Sequence, residues 1–235
     1  MATPVMVFVH GGGYSTGSAQ DFPGQGEGFV SSGRVVYVSF TYRLGALGYL
    51  DFSRYSTPTR PIENNLGLRD QVAALQWVRA NIRSFGGNPH NVTVFGESAG
   101  GNAIITLMAT PATQGLFARA IAQSPPSNAA YTSALTDEWA EHFLSVPGGD
   151  GDPIELLATA EVSALTRAAL ALQVRTPDAN PGTFCLAPVI DGIMLPEHPL
   201  EAFRGGRAHR EPLIIGTYDR EGATVSVATV TSSMG

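Results

Sequence analysis

The chain has 235 residues, of which 43% are hydrophobic and 14% charged, with 27 glycines and a formal net charge of −6. This profile suits one globular domain with a sizeable core and excludes a disordered or coiled-coil chain. The acidic balance, without any run of lysine or arginine, argues against nucleic acid or an anionic membrane surface as partner. Cys185 is the only cysteine, so no disulfide forms within these residues. No apolar run reaches membrane-spanning length, and Met1-Ala2-Thr3-Pro4 lacks the charged start and apolar run of a signal peptide. A cytoplasmic location is compatible with this, and the compartment stays open.

Pro4–Val9 is a short, continuously apolar run, the pattern of a strand buried on both faces of a parallel sheet. It opens into His10-Gly11-Gly12-Gly13-Tyr14, where a glycine triplet lets the backbone turn its N–H groups toward a ligand. A second strand is predicted over Val35–Phe40, and residues 51–63, polar and proline-rich, form a surface loop. Asn64 and Asn65 offer a helix start. Leu68, Val72, Leu75, Val78 and Ile82 then recur at helical spacing as one apolar stripe. Gly86 and Gly87 end that helix and Pro89 prevents its resumption.

Val92-Thr93-Val94-Phe95-Gly96-Glu97-Ser98-Ala99-Gly100 follows, a β-rich run ending in Gly-x-Ser-x-Gly. With a strand before it and a helix after it, this is the pattern of a nucleophile elbow. Alone it would also fit a strand-to-helix turn with a serine cap. The upstream glycine triplet tips the balance, because it offers the anion-binding amides that an activated serine needs. Asn91-Val92-Thr93 matches a glycosylation sequon, but it starts a buried strand and is read as chance.

Residues 103–109 continue a buried helix that Pro111 stops, and 118–124 form another inner strand, broken by Pro125-Pro126. Residues 136–175 are helical, interrupted at 147–151, and carry no visible chemistry. Pro212–Gly216 reads as a last buried strand, with Thr217-Tyr218-Asp219-Arg220-Glu221-Gly222 at its C-terminal end. Strands alternating with helices predict an α/β fold with a mostly parallel sheet, flanking helices and right-handed crossovers. Chemistry in such sheets gathers at the C-terminal strand ends. The glycine triplet, Ser98 and Glu221 all lie just past predicted strands.

The chain resembles the type B carboxylesterases, the cholinesterase-like branch of the α/β-hydrolases. The likeness runs over residues 4–14, 35–50, 65–100, 115–124 and 188–222. Its densest matches are Tyr42-Arg43-Leu44-Gly45, Asp70-Gln71, Phe85-Gly86-Gly87-Asn88-Pro89, the Ser98 elbow and Gln123-Ser124. It implies one partial α/β-hydrolase domain over 1–235, with 126–183 as a variable, helical, cap-like region. The family's first strands and C-terminal part are expected to be missing. The implied activity is hydrolysis of a small-molecule carboxylic ester through an acyl-serine, with neither metal nor organic cofactor. Ser98 takes the nucleophile's place and Glu221 that of the triad acid, with Asp219 as local rival. The amides of Gly12, Gly13 and Ala99 correspond to the oxyanion hole, and Glu97 to a carboxylate beside the nucleophile.

The family's catalytic histidine falls beyond the matched glutamate. His10, His90, His142, His198 and His209 all stand at positions unsuited to replace it, so impaired turnover is expected of this chain. A catalytically dead homologue and an adhesion-type binding module remain as alternatives. The intact serine and glycine triplet weigh against the second.

Overall fold

The computed structural model describes residues 2–21, 26–148, 151–179, 182–219 and 221. Gly149 and Asp150 of the expected helix break, and Arg220 and Gly222 of the expected acidic turn, lie outside the described residues. In chain order the elements are β1 (Thr3–Val9), α1 (Glu27–Val30), β2 (Val36–Ser39), α2 (Ala46–Tyr49), α3 (Leu66–Asn81), β3 (Gly87–Glu97), α4 (Ala99–Met108) and β4 (Arg119–Gln123). Then come β5 (Tyr131–Thr132), α5 (Ser133–Gly148), α6 (Pro153–Thr159), α7 (Val162–Ala179), β6 (Val189–Ile190), α8 (Pro199–Arg204) and β7 (Leu213–Gly216).

The main sheet has five strands in the order β2-β1-β3-β4-β7, every neighbouring pair parallel. Parallel neighbours need crossovers, and the sequence supplies them as helices. Thus α3 bridges β2 to β3, and α4 bridges β3 to β4. The central strands carry Val5, Val7, Val9, Val92 and Val94, all buried, as β-branched runs covered on both faces should be. The register aligns the C-terminal ends: Val9 lies opposite Gly96, Gly96 opposite Ala122, and Gln123 opposite Gly216. Whatever follows these strands therefore emerges along one edge.

The stripe read from the sequence is the buried face of α3 and of the turn that follows it, since Leu68, Val72, Leu75 and Val78 of α3 and Ile82 just beyond its end all lie in the core. Gly86, at φ 81, then turns the chain into β3. Asn65 precedes α3 at φ 53 but makes no side-chain cap. Its amide instead pairs with the backbone of Val189, donating to the carbonyl and accepting from the N–H, both at 2.8 Å. A residue expected to start a helix thus fastens that helix to β6.

The 126–183 region contains α5, α6 and α7, with α5 and α7 contributing Trp139, Phe143, Ala168 and Leu172 to the core. The break between α6 and α7 falls at Ala160, where ψ is 137°. Strands β5 and β6 form a separate parallel pair. One expectation requires correction. β7 is a strand, but it is not buried: Ile214 is 67% exposed and Ile215 54%. Among the described strands it pairs only with β4, so its apolar side chains stand at the sheet's edge.

Candidate active site

Glu97 ends β3 and Ala99 begins α4, leaving Ser98 alone in the turn, at φ 57 and ψ −123. A non-glycine residue holds this backbone only where its surroundings enforce it. Glycines make the turn possible on either side. A Cβ on Gly100 would lie 2.2 Å from the Val9 carbonyl oxygen, and one on Gly96 would lie 2.6 Å from the same atom. The turn is anchored at both ends: the Ser98 N–H donates to the Gln123 carbonyl and the Asn102 N–H to the Ser98 carbonyl, each at 2.9 Å.

The loop after β1 approaches from the neighbouring strand. Gly12, Gly13 and Tyr14 have φ of 103°, 61° and 57°, an unbroken left-handed run that glycine tolerates best. The Gly12 carbonyl turns inward to accept the N–H groups of Ser15 and Thr16. Neither the Gly12 nor the Gly13 N–H donates to a backbone acceptor among the described residues. Ala99, first residue of α4, likewise has an N–H outside its helix's own ladder.

A cavity of ≈ 420 Å³ opens over the turn, lined by Ser98, Ala99, Gly13, Tyr14, Ser124 and Glu221 together with apolar residues. Four of the residues singled out from the sequence thus meet in one space. Gly12 and Glu97 face a neighbouring cavity of ≈ 430 Å³ on the other side of the glycine loop. Asp219 is exposed and lines neither space.

The two carboxylates are poised differently. The Ser124 hydroxyl, then the Tyr218 N–H at 2.6 Å, hold the Glu221 carboxyl below its usual range. Burial, then the charge of Glu221, push Glu97 up. Ser124, at φ 46, accompanies Gln123 in the sequence match but received no role there. Its available signal was position: it is the first polar residue past the end of β4, and its N–H pairs with the Gly216 carbonyl of β7 at 2.7 Å.

The histidines lie elsewhere. His10 is buried beneath the glycine loop, stacked on Tyr42 at 4.3 Å, with Nδ1 on the Gly11 carbonyl. His90 meets Arg79 at the N-terminal end of β3. His142 lies on α5, and His198 caps α8 by accepting from the Leu200 N–H. His209 bonds the Thr110 carbonyl beyond the far end of α4. Among the described residues, no three His, Cys, Asp or Glu side chains converge as a metal site, and no helix is long and apolar enough to cross a membrane.

A parallel sheet, a strand–serine–helix turn and a glycine loop beside it define an α/β-hydrolase. The carboxylesterase family model matches residues 1–233, and the chain belongs to that family. It is 41% identical over 225 residues to the para-nitrobenzyl esterase of Bacillus subtilis (strain 168), covering 93% of this chain and 44% of the relative. It is 37% identical over 222 residues to the fumonisin B1 esterase of Sphingopyxis macrogoltabida, covering 93% of this chain and 39% of the relative. The crystal structure of a Geobacillus stearothermophilus carboxylesterase superposes with a TM-score of 0.86 at 34% identity, over 99% of this chain and 47% of that one. The chain therefore spans less than half the length of the relatives it matches.

Proposed function

We propose that this chain carries the nucleophile, oxyanion hole and triad acid of a carboxylic ester hydrolase. The observation that carries the reading is the meeting of strained Ser98 with Gly13, Ala99 and Glu221 around one cavity. Ser98 Oγ attacks the ester carbonyl carbon while a general base takes its proton. The carbonyl oxygen becomes an oxyanion, held by the amides of Gly12, Gly13 and Ala99. The tetrahedral centre collapses, the bond to the alcohol oxygen breaks, and the alcohol leaves with the proton. Water, deprotonated by the same base, then releases the acid and restores Ser98.

Glu221 would orient an imidazole across the cavity and stabilise its cationic form. Its readily ionised carboxyl, with Ser124 and Tyr218 as donors, suits that task. None of the five histidines lines the cavity, so no imidazole among the described residues stands ready as the base. By itself this polypeptide should therefore hydrolyse esters slowly. Phe184, Leu186, Ala129 and Pro126 give the cavity apolar walls, which suit an apolar acyl or aryl group. The absence of an imidazole from the cavity also favours one rival, a homologue that binds esters without turning them over.

Trapping tests the reading. After incubation with a short-chain para-nitrophenyl ester and acid quench, mass spectrometry should find the acyl group on the peptide containing Ser98, and none in Ser98→Ala. Acylation elsewhere, or equal labelling in Ser98→Ala, rules the reading out.

A further inference from the structure

Tyr14 directly follows the glycine loop, at φ 57, with its side chain in the core. Three contacts hold it there. Its hydroxyl donates to Asn102 Oδ1 at 2.6 Å, its ring lies 4.1 Å from that of Tyr49, and its carbonyl accepts the Gly45 N–H at 2.7 Å. Asn102 is itself fully buried, in the first turn of α4 and one helical turn beyond Ser98. Its Nδ2 donates in the opposite direction, to the Pro126 carbonyl at 2.9 Å. Tyr14 and Pro126 both line the Ser98 cavity, whereas Asn102 stands behind it.

We propose that Asn102 is a positioning residue that sets the width of the Ser98 cavity, holding the glycine loop through Tyr14 and the opposite wall through Pro126. An amide suits this task because it offers an acceptor and a donor in fixed geometry on one short side chain. Burial makes the bond to Tyr14 costly to lose, since the abandoned partner finds no water, and the bond to Pro126 is half-buried. The bridge passes through the helix that carries the nucleophile, so both walls are referenced to Ser98. The catalytic consequence rests on the ester hydrolase reading, but the bridge itself does not.

Two variants cut the bridge at different ends, each in the full chain. Tyr14→Phe removes only the hydroxyl and spares the ring packing. Asn102→Asp keeps an acceptor for Tyr14 and removes the donor to Pro126. Amide hydrogen exchange reads the result without reference to activity. Tyr14→Phe should speed exchange at Ser15, Thr16 and Gly45, whose N–H groups bond the Gly12 and Tyr14 carbonyls, and Asn102→Asp at Ala129 and Ala130, with α3 protection unchanged. Unchanged exchange at both segments overturns the proposal.

Ser98-dependent turnover of para-nitrophenyl acetate and hexanoate, with imidazole supplied, reads the catalytic consequence. The turnover number should fall about ten- to a hundred-fold, as for a misplaced reacting geometry. Asn102→Asp should also shift preference toward hexanoate as the wall retreats. An equal loss on both esters that tracks a lower melting temperature marks a merely structural role and overturns the proposal. If Asn102→Asp fails to fold, Tyr14→Phe decides. If the unaltered chain shows no Ser98-dependent turnover, the ester hydrolase reading falls and exchange alone decides the bridge.

Discussion

Ser98 sits in a backbone conformation that its own side chain makes costly, at φ 57 and ψ −123. Such strain is worth about 1–3 kcal/mol and persists where surrounding structure over-determines it. Replacing Ser98 by glycine should relieve it, and replacing Ser98 by alanine should not. Ser98→Gly is thus expected to exceed Ser98→Ala in stability by about 1 kcal/mol, after allowing for glycine's larger unfolded-state entropy. Urea unfolding midpoints of the two variants check this, and equal midpoints would show that the turn is unstrained. Glu97 supplies a second prediction at this scale. Burial and the Glu221 charge raise its pKa, so ionising it costs more in the folded state than in the unfolded one. The chain therefore loses stability as pH rises from about 4.3 through the raised folded value. Glu97→Gln removes that loss. Its melting temperature should exceed that of the unaltered chain at neutral pH, and the difference should vanish below about pH 4. A gap of constant size across the pH range would contradict this.

The elbow depends on the fit between β1, β3 and α4. The Val9 carbonyl lies where a Cβ on Gly100 would stand, at 2.2 Å, and the obstacle is backbone rather than a yielding side chain. Gly100→Ala should therefore cost about 1–3 kcal/mol, the range for overpacked sites, and displace Ser98 from the glycine loop. Denaturant unfolding and Ser98 acylation should fall together; an unchanged stability would mean that the strand and helix part freely. In α3, Leu75→Ala should cost about 2–5 kcal/mol, because Leu75 is fully buried in the stripe that faces the sheet. Elements of this kind were legible in the sequence. The α3 stripe repeats at a helical period, and β1 and the second half of β3 are short apolar runs rich in β-branched residues that lead into glycine-containing turns. What escaped was long-range or aperiodic. Two-residue strands such as β5 and β6 have no period to read. Asn65 stands where a helix cap belongs, and only the fold reveals that its amide pairs with Val189. The apolar run of β7 looks the same on an exposed edge as in a core, because hydrophobicity reports composition and not the presence of a neighbour. At the site, Ser98, Gly13 and Ala99 carried motif signatures and Glu221 came only through the family resemblance, whereas the contacts of Ser124 and Asn102 depend on geometry that short polar residues do not advertise.

Across the whole molecule, the sheet register gathers four strand ends along one edge, and the Ser98 cavity opens there. The five histidines are distributed away from that cavity, beneath the glycine loop, at the opposite end of the sheet, or among the helices. Serine without an adjacent base is a weak nucleophile. In a serine protease, loss of the histidine costs about a million-fold in turnover and leaves about a thousand- to ten-thousand-fold over water. Residues 1–235 alone should fall in that residual range, with the rest of the rate awaiting an imidazole.

Chemical rescue measures this directly. Hydrolysis of para-nitrophenyl acetate by residues 1–235 is followed as imidazole is added, with Ser98→Ala run in parallel to subtract imidazole's own catalysis. A saturable, Ser98-dependent acceleration, weakened in Glu221→Gln, is the predicted result. Identical rates in the unaltered and Ser98→Ala chains at every imidazole concentration would contradict the account, as would Ser98-dependent turnover that is already fast without imidazole.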